Sequence, residues 1–377
     1  MQIVSILGGA GSIGRRISEE LVRRGTARVR LVGHDSEPAR AVAHRLGVEF
    51  RACDVRQRDA LRTAVEDSAV VIDAAGPFQS RDHGAAEICI ETGTHYIDIA
   101  DARSYVLGMA KLDERALSAG VMITSGASTG PAITAAMLDL LAPAFGRIAD
   151  ICIALTDGSK NRYGAGTLAS VMAGLGRPFR ITMRDQEKVV RGGDDPRKLD
   201  FPWPVGPRVV RLFDMADAAI FPERYGAATV RCYSGVEGRA VPFLLRAVHW
   251  LRRRVLDIDL LRLSHFLHWL GGLITPAGTP NGALAVWVRG TDLEGRPLQR
   301  RVALVFDSDN AVPPGVPAIM LTERILANGP PRVGAFPCVG LLSFDEIAAH
   351  LARRRVRTVF GDAYEWDERA LTAPPPS

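Results

Sequence analysis

Seven consecutive residues near the start of the chain, Gly8-Gly9-Ala10-Gly11-Ser12-Ile13-Gly14, have the types and spacing to do specific chemistry. Gly9, Gly11 and Gly14 satisfy the pattern GxGxxG, and Gly8, Gly11 and Gly14 satisfy GxxGxxG. In either register the first glycine lets the chain turn sharply off a strand. The second lets a pyrophosphate approach the backbone, and the third lets a helix pack close to a sheet. The start of that helix then offers free N–H groups and a partial positive charge to an anion. The pattern carries weight only between a strand and a helix. Here Ile3-Val4-Ser5-Ile6-Leu7 comes before it, and Ile13, Ile17 and Leu21 recur along one helical face after it. The expected contacts to a dinucleotide are Gly9, Ala10, Gly11, Ser12, Ile13 and Gly14.

The end of the second strand should select the cofactor, because an acidic residue there holds the ribose 2′-hydroxyl of NAD. Counting about twenty residues from Gly14 reaches Gly33 and His34, with Asp35 next. Glycine at the acidic position removes a repulsive carboxylate, so His34, aided by Arg15, would face the 2′-phosphate of NADP. If the strand ends one residue later, Asp35 takes the ribose and the cofactor is NAD. NADP is favoured and NAD stays open. Asp54 and Val55 close the third strand, where the adenine would lie. Ala75, Gly76 and Pro77 close the fourth, and their small size would admit the nicotinamide half.

Hydride transfer to a carbonyl or imine also needs a proton donor beside the nicotinamide. Asp98 and Tyr96, at the end of the fifth strand, are the candidates for catalysis. The alternative places Tyr96 in the core and Asp98 as a cap on the following helix. No Tyr-x-x-x-Lys pair, HExxH motif or Ser/His/Asp ordering competes with this reading.

The elements that must position these residues alternate along the first third of the chain. Strand-like runs at 2–7, 28–32, 48–53, 69–74, 95–99 and 121–124 are separated by helical patterns at 13–21, 38–46, 58–65, 84–92 and 105–118. Strands that are largely apolar, with helices between them, form a parallel sheet covered on both faces. Right-handed crossovers make it the doubly wound Rossmann sheet. After Gly126 the rhythm changes: helix at 131–141, strand at 148–155, helix at 166–173, and little periodicity over 179–207. Strands are expected at 227–233, 283–289 and 300–306, the last two joined as a hairpin through Glu294-Gly295. Helices follow at 317–327 and 343–354, the latter opened by a Ser343/Glu346 capping box. The predicted fold class is α/β: a Rossmann domain at 1–130, a second mixed α/β domain with antiparallel sheet at 131–314, and a C-terminal return at 315–377 packing on the first.

Composition limits the rest. With 377 residues, two domains are the natural expectation. Lys and Arg number 47 against 42 Asp and Glu, a net charge of +5 spread along the chain, which does not point to nucleic acid. The five cysteines are scattered without metal-ligand spacing, which suits reduced thiols in a cytoplasm. No secretory leader and no membrane-spanning run is evident. Residues 241–274 mix Trp250, Trp269, Phe243 and Phe266 with Arg252-Arg253-Arg254. Such a segment suits helices packed on the second domain, a membrane surface or lipid contact, a substrate tunnel or a homodimer contact.

Several stretches together resemble the saccharopine dehydrogenase-like reductases: residues 8–16, Asp73-Ala74-Ala75-Gly76-Pro77-Phe78, the helix end Cys89-Ile90-Glu91-Thr92-Gly93 with the strand His95-Tyr96-Ile97-Asp98, and residues 126–132. The likeness is firm over residues 1–140. It loosens beyond them, where 221–225 and 276–289 resemble a bacterial branch. It implies an NADP-type Rossmann domain, a second α/β domain inserted before a C-terminal return, and hydride transfer to a small-molecule substrate. Substrates in such families range from amino-acid-derived imines to enoyl groups on lipids. The family often has Arg where this chain has His34. Rival readings are a non-catalytic NADP sensor and a membrane-surface interaction protein.

Overall fold

The computed structural model describes residues 1–161, 173–238, 278–306 and 312–361. The segment 241–274 and most of the helix expected at 166–173 lie outside the described residues. The chain forms two compact units, Met1–Ile133 with Ala311–Leu342, and Thr134–Asn310 with Ser343–Ser377.

In the first unit, strands β1 (Ile3–Leu7), β2 (Arg28–Gly33), β3 (Glu49–Ala52), β4 (Val70–Asp73), β5 (His95–Asp98) and β6 (Met122–Ser125) alternate with helices. The helices are α1 (Ser12–Arg24), α2 (Glu37–Leu46), α3 (Arg58–Val65), α4 (Gly84–Glu91), α5 (Arg103–Gly108) and α6 (Asp113–Ser118). A late strand, Gly334–Pro337, pairs in parallel with β6 and completes the sheet. All seven strands run parallel, in the order late strand, β6, β5, β4, β1, β2, β3. This is the doubly wound order, whose direction reverses between β1 and β4. Burial on both faces explains the apolar runs: Val70, Val71 and Ile72 of β4 have no exposed surface. Helix α1 turns Ile17 and Leu21 inward and stops at Gly25, where φ of 64° suits a residue without a Cβ. The helix Val312–Asn328 packs on α1, with Gly315 closing on Ile17 and Arg24 paired to Glu323 at 2.7 Å.

The helix expected at 105–118 is three pieces: α5, a 3-10 turn at Met109–Leu112, and α6. Gly108 lies against the His83 ring, where a Cβ would stand 2.7 Å from Cε1, and glycine is also the weakest ordinary helix former. The helix expected from 131 starts at Thr134. Gly130 precedes a proline and is extended at φ −120°, ψ 138°, which delays the helix.

The second unit is built on another seven-stranded sheet: β7 (Arg147–Asp157), β10 (Arg197–Phe201), β11 (Gly206–Leu212), β12 (Thr229–Val236), β13 (Gly282–Thr291), β14 (Pro297–Phe306) and Arg357–Gly361. Only β7 and β12 are parallel; every other pairing is antiparallel. The β13–β14 hairpin turns at Gly295 with φ of 81°. Residues 179–207, which lack periodicity, hold a separate hairpin of β8 (Pro178–Met183) and β9 (Gln186–Arg191), followed by β10. Ser343 and Glu346 form the reciprocal cap of the helix Phe344–Ala352. A single return over 315–377 is expected from sequence, but the structure divides it. Residues up to Leu342 complete the first sheet, while Phe344–Ala352 and Arg357–Gly361 pack within the second unit. No helix among the described residues is long and apolar enough to cross a membrane.

Candidate cofactor site

The carboxyl ends of β1 and β4 flank the crevice where strand order reverses, the place open α/β sheets use for ligands. Two loops meet there. Gly8 has φ of 67°, donates its N–H to Val32 O at 2.8 Å, and lies so near the β4 loop that a Cβ would stand 2.9 Å from Ala74 O. A Cβ at Gly14 would overlap the Gly8 carbonyl oxygen, so the helix can start this close only on glycine. The Ser18 hydroxyl donates to the carbonyls of Gly14 at 2.8 Å and Gly9 at 3.2 Å, fixing the loop from behind. Gly11 caps α1 with no side-chain hydrogen bond, and no acidic residue occupies the first turn. The N–H groups of Ser12, Ile13 and Gly14 belong to a helix start that its own side chains do not satisfy. Ala10, Gly11, Ser12 and Ile13 all reach solvent, and Gly14 is buried.

On the β2 and β3 side, the strand ends at Gly33, and His34 and Asp35 are exposed. Asp35 is engaged by Arg40 of α2, whose Nε and one terminal nitrogen donate to its two oxygens at 2.6 Å. The Arg40 hydrogen bonds hold the Asp35 carboxyl below its ordinary value. Asp54 is held the same way by Arg56 at 2.8 and 3.0 Å. Its pKa falls to about 2, chiefly through hydrogen bonds from the Arg56 side chain and backbone, with a smaller contribution from nearby His34. Asp54 and Val55 are half-buried.

On the other side of the switch the carboxyl groups are sealed in. Asp73 and Asp98 are partners in register at the ends of β4 and β5, and neither has exposed surface. Asp73 Oδ1 accepts from Ala75 N at 2.9 Å and from Arg81 at 2.8 Å. Arg81 also donates to Ala75 O at 3.0 Å, so the two side chains together fix the loop of Ala75, Gly76 and Pro77. Tyr96 donates to Asp73 Oδ2 at 3.1 Å and meets the Tyr105 hydroxyl at 3.0 Å. Burial opposes the Arg81 charge, yet Asp73 beside it leaves the guanidinium pKa raised. Burial, reinforced by Asp73, pushes the Tyr96 phenol far up. Asp98 Oδ1 accepts from Ala100 N, Ser125 Oγ and Gly126 N, each at 2.9 Å, while Oδ2 is buried without a hydrogen-bond partner. Burial first, and Asp73 in addition, raise the Asp98 carboxyl to about 7 against the pull of those donors.

The structure therefore gathers Gly9, Ala10, Gly11, Ser12, Ile13 and Gly14 beside Ala75, Gly76 and Pro77, with His34, Asp35, Asp54 and Val55 at the ends of β2 and β3. It corrects Asp98 and Tyr96 as groups that reach a substrate. Tyr96 lies in the core, and Asp98 is closed over by Ser125 and Gly126 from β6, so neither presents a proton to solvent. Asp98 does not cap the next helix either; it ties the loops after β5 and β6. Arg81, Asp73 and Arg40 are the residues that sequence reasoning overlooked. A carboxylate ending the apolar run Val70–Asp73 was the available signal for Asp73. Among the described residues no cluster of His, Cys, Asp and Glu could hold a metal ion.

Residues 4–124 match the family described as saccharopine dehydrogenase NADP binding domain. No curated protein matches the chain in sequence. Among solved structures, the fold is similar to apo saccharopine dehydrogenase (L-Glu forming) from Saccharomyces cerevisiae, at 16% identity and a TM-score of 0.65, over 96% of this chain and 100% of that one. It is similar also to homospermidine synthase from Legionella pneumophila in complex with NAD, at 11% identity and a TM-score of 0.66, over 96% of this chain and 92% of that one. These likenesses concern the fold.

Proposed function

From the match of residues 4–124 to the saccharopine dehydrogenase NADP binding domain, we propose that this chain is an NADP-dependent oxidoreductase acting on a small-molecule carbonyl, imine or enoyl group. The observation that carries the reading is the glycine loop at the switch point, where a Cβ at Gly8 or Gly14 would strike backbone and the start of α1 is left uncapped. These residues fit a pyrophosphate, which the helix N-terminus would bind through Ser12, Ile13 and Gly14. The nicotinamide supplies the hydride when bound. The chain's task is then to hold that ring and keep its surroundings rigid. Ala75, Gly76 and Pro77, pinned by Asp73 and Arg81, form the surface for the nicotinamide half. Asp98 and Tyr96 act as positioning residues behind it.

The choice of NADP rests on the β2 end. Arg40 donates to both oxygens of Asp35, which offsets the negative charge that would otherwise oppose a 2′-phosphate there. His34, with Arg15 and Arg40, would face a 2′-phosphate. Parallel titration of the full chain with NADPH and NADH, followed by nicotinamide fluorescence, tests this. NADPH should bind more tightly, and His34→Ala should narrow the gap by about tenfold, the worth of one charge-assisted contact. Tighter NADH would move the assignment to Asp35 and NAD. If neither cofactor binds, the oxidoreductase reading fails.

A further inference from the structure

Two buried carboxyl groups stand side by side at the ends of β4 and β5, and their surroundings differ. Asp73 has a cation, Arg81, and all its hydrogen bonds. Among the described residues Asp98 has no ion-pair partner. Three donors share its Oδ1, and its Oδ2 is sealed away from water with nothing to bond. We propose that the charge of Asp98 sets the balance between oxidised and reduced nicotinamide at this site, an inference that rests on the nicotinamide half lying over the loop after β4.

The physical basis is simple. An oxidised nicotinamide ring is cationic and a reduced one is neutral. Asp98 stands in register beside Asp73, whose side chain holds that loop; ionised, it attracts the first and is indifferent to the second, and a water-poor interior screens little. The titratable and charged groups around Asp98 are few. Asp73 on β4 opposes its ionisation. Arg81, in the loop after β4, is already paired with Asp73. Tyr96 on the same strand and Tyr105 on α5 are neutral phenols held well above their ordinary range by burial. Cys338, just past the strand Gly334–Pro337, is a buried thiol pushed up to about 12. Asp98 is therefore the group poised to change charge near neutrality, at about 7. By linkage, binding of the oxidised cofactor expels its proton, and binding of the reduced cofactor does not.

The test uses the full chain and compares the two redox forms, so that ionisation of the 2′-phosphate, common to both, cancels. Dissociation constants for NADP⁺ and NADPH are measured from about pH 6 to about pH 8. The ratio of the NADP⁺ constant to the NADPH constant should fall by about threefold or more as pH rises through neutrality. Calorimetry in buffers of different ionisation heat should show proton release with NADP⁺ alone. Asp98→Asn should flatten the ratio. Ser125→Ala, a milder change that removes one donor to the carboxylate, should move the inflection to higher pH. A flat ratio in the unmodified protein overturns the proposal, as does an unchanged inflection in Ser125→Ala or a titration that persists in folded Asp98→Asn. Failure of both forms to bind at every pH would instead overturn the cofactor reading beneath it.

Discussion

The two halves of the first sheet's carboxyl edge use the same residue types to opposite ends. Past β2 and β3, exposed Asp35 and half-buried Asp54 are each clasped by an exposed arginine a few residues along the chain. Past β4 and β5, Asp73 and Asp98 are walled in, and besides local partners they are bonded from neighbouring strands and their loops, by Tyr96 and by Ser125 and Gly126. Exposed pairs exchange readily with water and are worth little. Buried ones cost much to desolvate and are strongly missed when half of the pair is removed. The β2–β3 side is thus adjustable and suited to choosing between related ligands. The β4–β5 side is preorganised and suited to holding one geometry.

Three measurements press on this contrast. Arg81→Met leaves Asp73 buried without its cation, and should cost about 3–5 kcal/mol in denaturant unfolding. A loss below about 1 kcal/mol would mean that water reaches the pair, and the contrast would collapse. Asp98→Asn sharpens it through pH. The folded Asp98 keeps its proton up to about 7, while an ordinary aspartate loses it near 3.8. The native state therefore binds the extra proton between those values, and this group's contribution to stability falls as pH rises through that window. Relative to the unmodified protein, Asp98→Asn should gain roughly 2–4 kcal/mol between the acid and alkaline ends. Thermal unfolding across pH reads the slope, and parallel curves for the two proteins would contradict it. Arg40→Ala is the smallest change. The melting temperature should stay within error, while the preference for NADPH over NADH narrows. A clear drop in melting temperature would show that the exposed pair is structural after all.

Much of this half-and-half arrangement was legible. The glycine spacing, the apolar run before it and the Ile13-Ile17-Leu21 stripe after it have one physical explanation, and the structure matches it. Strands β1 and β4 were readable because a sheet buried on both faces favours largely apolar runs, and edge strand β3, Glu49–Ala52, was readable mainly by its place in the alternation. Hairpin β8–β9 was not. Its turn residues Arg184 and Asp185 both have φ of 58°, a conformation usually announced by glycine or asparagine. Nor was the burial of Asp98, because Ser125 and Gly126, which close over it, lie 27 and 28 positions away. Arg81 falls in a short polar stretch with no periodicity, so nothing local announces that it turns inward to Asp73.

The seventh strand of the first sheet has a consequence for how the protein is made. Gly334–Pro337 covers the outer edge of β6, yet the ribosome delivers it long after β6. The intervening chain is about 200 residues, so at ordinary synthesis rates the edge waits roughly 10–40 seconds. During that interval the nascent N-terminal domain carries an open row of backbone donors and acceptors, which invites pairing with a neighbouring chain. The helix Val312–Asn328, which packs on α1, arrives in the same late stretch. Birth order thus leaves the cofactor domain unfinished until most of the second domain has been synthesised, and a stop codon anywhere before residue 334 would leave it so permanently.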